Sequence, residues 1–150
     1  MREAGLLLWC GNCMNESISY QIEPGLSVDD FIAILKSSTL AERRPVDDQE
    51  RVRQMLAGAS LILTARCDGR IVGVARALTD GAYSTYLADL AVDEAWQGRG
   101  IGRELIRRIH EAAGERTTLI LLAAPKALTY YPHIGMVAHD SCWCSPPKPL

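Results

Sequence analysis

The stretch Tyr86-Leu87-Ala88-Asp89-Leu90-Ala91-Val92 continues through Asp93-Glu94-Ala95-Trp96 into Gln97-Gly98-Arg99-Gly100-Ile101-Gly102, and its reading decides the fold. The first half is apolar and reads as a strand, while the second is a glycine-rich turn. A helix follows, because Ile101, Leu105, Ile109 and Ala112 recur at the three-to-four-residue spacing that gathers them on one face. Arg103, Glu104, Arg107, Arg108 and Glu111 fall on the other faces. Gly114 follows the last apolar position and suits a helix stop in the left-handed conformation.

The start of that helix carries an anomaly. Free amide hydrogens and the macrodipole make a helix N-terminus partly positive, which favours acidic residues, yet Arg99 and Arg103 bracket it. Cations added to a positive end imply a missing anion. Gly98, Gly100 and Gly102 at alternate positions let the backbone approach such an anion and aim amides at phosphate oxygens. Two common phosphate loops do not fit. A P-loop needs Lys-Ser or Lys-Thr after its last glycine, where Arg103-Glu104 stands. The dinucleotide fingerprint needs a glycine at position 103 and further strand-helix units behind it.

Leu90-Ala91-Val92 followed by Gln97-x-x-Gly100-x-Gly102 and an amphipathic helix resembles the acyl-CoA-binding motif of the GNAT superfamily of N-acetyltransferases. A second match, Ala127-Leu128-Thr129-Tyr130-Tyr131-Pro132-His133-Ile134-Gly135-Met136, looks like that family's helix-to-last-strand segment. The resemblance covers residues 17 to 143 by order of elements, with its specific motifs at 86–109 and 127–136. It implies the GNAT fold, an α/β architecture of the α+β type. Its mixed, mostly antiparallel central sheet is flanked by helices in the order β-α-α-β-β-β-α-β-α-β. The residues by themselves leave open a turn whose glycines serve only a tight strand-to-helix connection.

The remaining sequence fills in those elements. Ser17–Ile22 alternates polar and apolar residues and ends at Pro24-Gly25, as a strand would. Ser27 is the expected N-cap of a helix with Asp29 and Asp30 in its first turn and Val28, Phe31, Ile32 and Leu35 buried. Irregular sequence containing Glu42-Arg43-Arg44-Pro45 leads to a second helix over 48–57. Asp68-Gly69 is a hairpin turn between strands at Leu61–Cys67 and Arg70–Leu78, and Thr79-Asp80-Gly81 leads to a strand over Tyr83–Val92. Thr117–Leu122 reads as a buried strand parallel to its neighbour. Pro125 opens a helix over 125–132, and Ile134–Trp143 is the expected last strand. Residues 17–145 form one expected domain, with 1–16 an N-terminal extension of unknown role and 146–150 a tail.

Composition narrows the partners. With 16 basic against 18 acidic residues the net charge is -2, so no global field favours nucleic acid or an anionic membrane. No apolar run approaches the ~20 residues that span a bilayer. Leu6-Leu7-Leu8-Trp9 is too short for a signal peptide, and the expected location is cytoplasmic. The five cysteines, an odd number, argue for reduced thiols rather than a disulfide framework. Cys10-x-x-Cys13 with Cys142-x-Cys144 could in principle supply four thiolates, but no metal site is expected.

The resemblance also implies chemistry. Acetyl-CoA is the expected co-substrate, with the amides of the 98–103 loop holding its pyrophosphate and the strand at Leu90, Ala91 and Val92 holding its pantetheine arm. The implied binding set is Leu90, Ala91, Val92, Gln97, Gly98, Arg99, Gly100, Ile101, Gly102 and Arg103. Tyr131 aligns with the tyrosine that protonates the departing thiolate, and a phenol with a pKa near ~10 is protonated for that task. Tyr130 is the expected packing residue; Pro132 and Met136 depart from the family pattern. Asp89 is the candidate general base, acting through a water, with His133 as a second candidate. Arg43 and Arg44 either meet an acidic acceptor or form a solvated charge cluster.

The expected function is acetyl-CoA-dependent N-acetylation of a primary amine, on a small molecule or a protein, by direct attack in a ternary complex. Two alternatives remain: toxin-type acetylation of aminoacyl-tRNA, and a non-catalytic acyl-CoA-binding sensor or interaction module. A homodimer is compatible with the family.

Overall fold

A computed structural model of the chain describes residues 17–149. The expected N-terminal extension, with Cys10 and Cys13, lies outside the described residues. The elements are β1 (Ser19–Ile22), α1 (Val28–Ser37), α2 (Gln49–Ala57), β2 (Leu61–Cys67), β3 (Arg70–Thr79), β4 (Ser84–Val92), α3 (Ile101–Ala113), β5 (Thr118–Ile120) and a one-turn α4 (Tyr130–His133). A five-stranded sheet runs in the order β1-β2-β3-β4-β5, antiparallel except for the parallel β4–β5 pair.

Local sequence explains most of these boundaries. The Ser27 hydroxyl accepts from the Asp30 amide at 3.1 Å and opens α1, and the Asp48 carboxylate accepts from the Arg51 amide at 3.0 Å and opens α2. Asp68 and Gly69 both take positive φ, 48° and 80°, as a two-residue turn matched to strand twist requires. α1 and α2 bury Phe31, Leu35 and Val52 against one face of the sheet, with Ile62, Val74 and Ala91. α3 buries Leu105 and Ile109 against the other, with Leu63, Ala65 and Leu87. The last buried residue of α3 is Ala113 rather than the expected Ala112, which is exposed.

Strand β4 is irregular where it matters. Asp89 pairs with Arg76, but the next β3 residue, Ala77, pairs with Leu87, so Ala88 is an extra residue in β4. Side chains alternate faces along a strand, and an inserted residue reverses that alternation. Leu87 therefore packs under α3 while Ala91, four residues on, packs under α1 and α2; Leu90 and Val92 return to the α3 side.

The C-terminal third departs from expectation. β5 is limited to Thr118–Ile120, short of the expected 117–122. The 125–132 helix is divided into a single 3-10 turn at Pro125–Ala127 and the short α4. The strand expected over Ile134–Trp143 does not form. Gly135 adopts φ 92° just past the Ile134 cap of α4, and Val137 and Trp143 are each 92% exposed, so the apolar residues there have no sheet face to cover.

Candidate functional site

The site is built where the sheet opens. The β4–β5 ladder ends at Tyr86 and Ile120, and from Leu87 to Val92 no described strand pairs with the outer edge of β4. Past that edge the chain turns into α3 through the glycine loop. Gly98 and Gly100 sit at φ 75° and 79°, a region that strains any side chain with a Cβ. Side chains fasten the loop to the sheet. Gln97 donates from Nε2 to the Val92 carbonyl at 3.0 Å. Buried Asp93 accepts from the Ala95 amide at 2.9 Å and from Arg70 at 2.9 Å.

The loop presents the first turn of α3 without any side-chain cap. Its free amides and the helix dipole therefore face outward, and exposed Arg103 adds a full positive charge to them. Arg99 is turned back over the Trp96 ring, 4.5 Å from its centre. A cavity of about 550 Å³ lies between this helix end and α4, with Leu90 and Val92 along one wall and Tyr130, Tyr131 and His133 along the other. Tyr130 and Tyr131 meet edge to face, with ring centres 5.3 Å apart. Tyr130 lies so close over α3 that a Cβ on Gly102 would stand 2.7 Å from its hydroxyl oxygen. Burial, and then the neighbouring Tyr130, push the Tyr131 phenol above its ordinary pKa, so it is held as a proton donor.

Residues 37–144 match the acetyltransferase (GNAT) domain family. The chain belongs to the GNAT acetyltransferases. Enzymes of that family are acyltransferases that draw their acetyl group from acetyl-CoA. Among relatives, an uncharacterised N-acetyltransferase of Pyropia yezoensis is 29% identical over 82 residues, which is 52% of this chain and 46% of the relative. The chain thus spans less than half the length of that curated relative. Among solved structures, a GNAT family acetyltransferase from Streptococcus pneumoniae TIGR4 superposes with a TM-score of 0.66 at 19% identity, covering 87% of this chain and all of that one. An aminoglycoside N-acetyltransferase in complex with CoA superposes with a TM-score of 0.67 at 16% identity, covering 91% and 99%. The GNAT order of elements holds through α4, and among the described residues no sixth strand follows it.

Within this GNAT site, the sequence-expected residues separate into groups. Leu90, Val92, Gln97, Gly98, Gly100, Ile101, Gly102, Arg103 and Tyr131 all line the cavity beside α3. Ala91 turns its methyl into the core under α1 and α2, which leaves only its backbone at the site. Asp89 is not turned toward that cavity. Its side chain is fully buried, with one oxygen accepting from Arg44 Nε and the other from Arg76 Nε. Those contacts occupy the carboxylate that a general base would need open, and they make Asp89 the anchor of an arginine clamp. The candidate His133 does line the cavity.

Trp96, Lys126 and Arg76 were missed by sequence reasoning. Trp96 and Lys126 line the cavity, and Arg76 holds Asp89. For Arg76 a signal existed, since a charged residue inside the apolar run Ile71–Leu78 must find a buried partner. Nothing local marked Trp96 or Lys126.

Proposed function

We propose that this chain transfers the acetyl group of acetyl-CoA to a primary amine by direct attack within a ternary complex. The observation that carries the proposal is the cavity joining the uncapped end of α3 to Tyr131 along the unpaired edge of β4. The first-turn amides of α3, with Arg103, suit a pyrophosphate, and the two left-handed glycines keep that approach clear of side chains. The unpaired backbone of β4 near Leu90 to Val92 suits a pantetheine arm. An amide there can stabilise the negative charge that grows on the thioester oxygen as the amine attacks. Tyr131, kept protonated by burial, donates its proton to the departing thiolate. His133, rather than Asp89, is the side chain available to accept the proton from the amine.

The clamp also bears on the transfer-RNA alternative, which would need Arg43, Arg44, Arg99 and Arg107 on one patch. Arg44 gives its Nε to Asp89, while Arg107 is paired with Glu104 and Glu111 and Arg99 lies over the face of Trp96. The small-molecule or protein amine is therefore the reading favoured here.

The test is the melting temperature with and without saturating acetyl-CoA, with a nicotinamide dinucleotide as control. At ~100 times its dissociation constant a ligand of the folded state adds about 2.7 kcal/mol. That is a rise of several degrees for a domain of this size. A rise with acetyl-CoA alone, followed by CoA release with an amine, is the expected result. No rise overturns the donor assignment.

A further inference from the structure

A second cavity, of about 250 Å³, opens beside β4 on the side of the α1–α2 connection. Its apolar walls include Leu78, Tyr86 and Leu122, which are 40%, 40% and 51% exposed. Its charged residues are Arg43, Arg44 and Arg76, and no carboxylate is among its lining residues. The buried carboxylate behind it, Asp89, offsets one of the three guanidinium charges. Glu42, beside Arg43 in sequence, is drawn to Lys126 at 3.8 Å.

The arginines are also under-used as donors. Arg44 gives one N–H to Asp89, one to the Arg43 carbonyl and one to the Ala88 carbonyl, the latter two at 2.8 Å. Arg76, only 7% exposed, gives one to Asp89 and one to the Met55 carbonyl at 3.2 Å. A guanidinium has five such donors in a planar fork, so both retain N–H groups to offer. Arg43 reaches across to the Ala123 carbonyl at a long 3.5 Å. A group of arginines in excess of its acids, half sheltered from water and carrying unspent donors, is a receptor for an oxyanion.

The place of this cavity on β4 gives it a use. Ala88 lines it, and Leu90 lines the cavity beside α3, so the two approach the same strand within two residues. We infer that the acceptor is an amine bearing a carboxylate or phosphate beside an apolar body, its anion received by Arg43, Arg44 and Arg76. The inference rests on the acetyl-transfer reading above. The cavity is smaller than the roughly 300–1,000 Å³ of drug-sized sites, so it takes a small molecule or the tip of a larger one.

Matched amines test it. CoA release is followed with leucine and phenylalanine against their amides, with phosphoethanolamine against ethanolamine, and with spermidine as a polycation. The expected result is a kcat/KM at least ~10-fold higher for the anionic member of one pair, and which pair responds identifies the anion. Arg43→Gln then narrows that ratio several-fold while the rise in melting temperature with acetyl-CoA persists. Equal rates within every pair overturn the inference, as do a preference for spermidine and an unchanged ratio in Arg43→Gln. Acetyl-CoA binding without CoA release from any anionic amine also overturns it and leaves the donor assignment standing. Absence of any acetyl-CoA-induced rise strikes the donor assignment instead.

Discussion

The two cavities that meet at β4 are made of different material. The one beside α3 has main chain along one side, an uncapped helix end, two left-handed glycines and an unpaired strand edge, facing Tyr130, Tyr131 and His133. The one beside the α1–α2 connection is walled by side chains, among them Arg43, Arg44 and Arg76, the last two held in place by a single buried carboxylate. A backbone site recognises what every member of a family shares, because its atoms do not change with the residue. A side-chain site can differ from one member to the next at little cost to the fold. On the readings proposed above, donor chemistry belongs to the first cavity and acceptor choice to the second.

The strongest way to break this division is at the clamp. Asp89→Ala leaves the guanidinium groups of Arg44 and Arg76 together without their anion, at a cost of about 3–5 kcal/mol. The melting temperature should fall by roughly 10 °C. A fall of only a degree or two would show that the clamp does not support the structure.

Tyr131→Phe tests the one side chain proposed to act on the departing thiolate. It should lower kcat at least ~10-fold while leaving the KM for acetyl-CoA nearly unchanged. Because burial raises the Tyr131 phenol above its ordinary value, it stays protonated through neutral and mildly alkaline conditions. The pH profile of kcat should thus show no loss from Tyr131 below about pH 10. Unchanged turnover would remove Tyr131 from the mechanism.

Gly100→Ala probes the backbone itself. Nothing lies within 4 Å of the Cβ it would gain, so its cost is the φ of 79°, about 1–2 kcal/mol. A melting temperature lower by a few degrees is expected, together with weaker acetyl-CoA binding measured by calorimetry. Full stability and affinity would mean that the loop does not rely on the left-handed conformation.

The smallest effect belongs to the solvated back of α3, remote in character from both cavities. Hydrogen bonds from Arg107 and Arg108 lower the Glu104 carboxyl from 4.5 to about 2. Its folded value lies below its unfolded one, so the stabilisation is present above pH 4.5 and is lost as the pH falls toward 2. Glu104 is exposed enough that the contribution stays under about 1 kcal/mol. Arg107→Ala should change acid unfolding slightly and leave the neutral melting temperature within about 2 °C. A larger shift would mean that this helix face carries more of the stability than its exposure allows.

These differences also explain what was legible. The caps at Ser27 and Asp48, the turn at Asp68-Gly69 and the glycine loop are set by residues within four positions of one another, so their chemistry is written locally. The bulge at Ala88 is set by pairing with β3, and no residue type announces it. The role of Asp89 depends on Arg44, 45 residues away, and on Arg76 across the strand, which is why a buried anchor reads in sequence as a candidate base. The last strand expected at Ile134–Trp143 from the order of elements has no partner, since β5 ends after three residues. Strand propensity describes a surface waiting for a neighbour, and only the tertiary structure supplies one.

The extra residue at Ala88 makes β4 a strand in two phases. Upstream of it Leu87 is core under α3, and downstream the same parity carries Asp89 and Ala91 to the opposite face. Were Ala88 paired in the ladder instead of bulged, strict alternation would send Leu90 and Val92 under α1 and α2 and turn Asp89 toward α3, away from Arg44 and Arg76. A single small side chain with no chemistry of its own thus acts as the half-turn that gives this strand two faces, each opening on a cavity of its own.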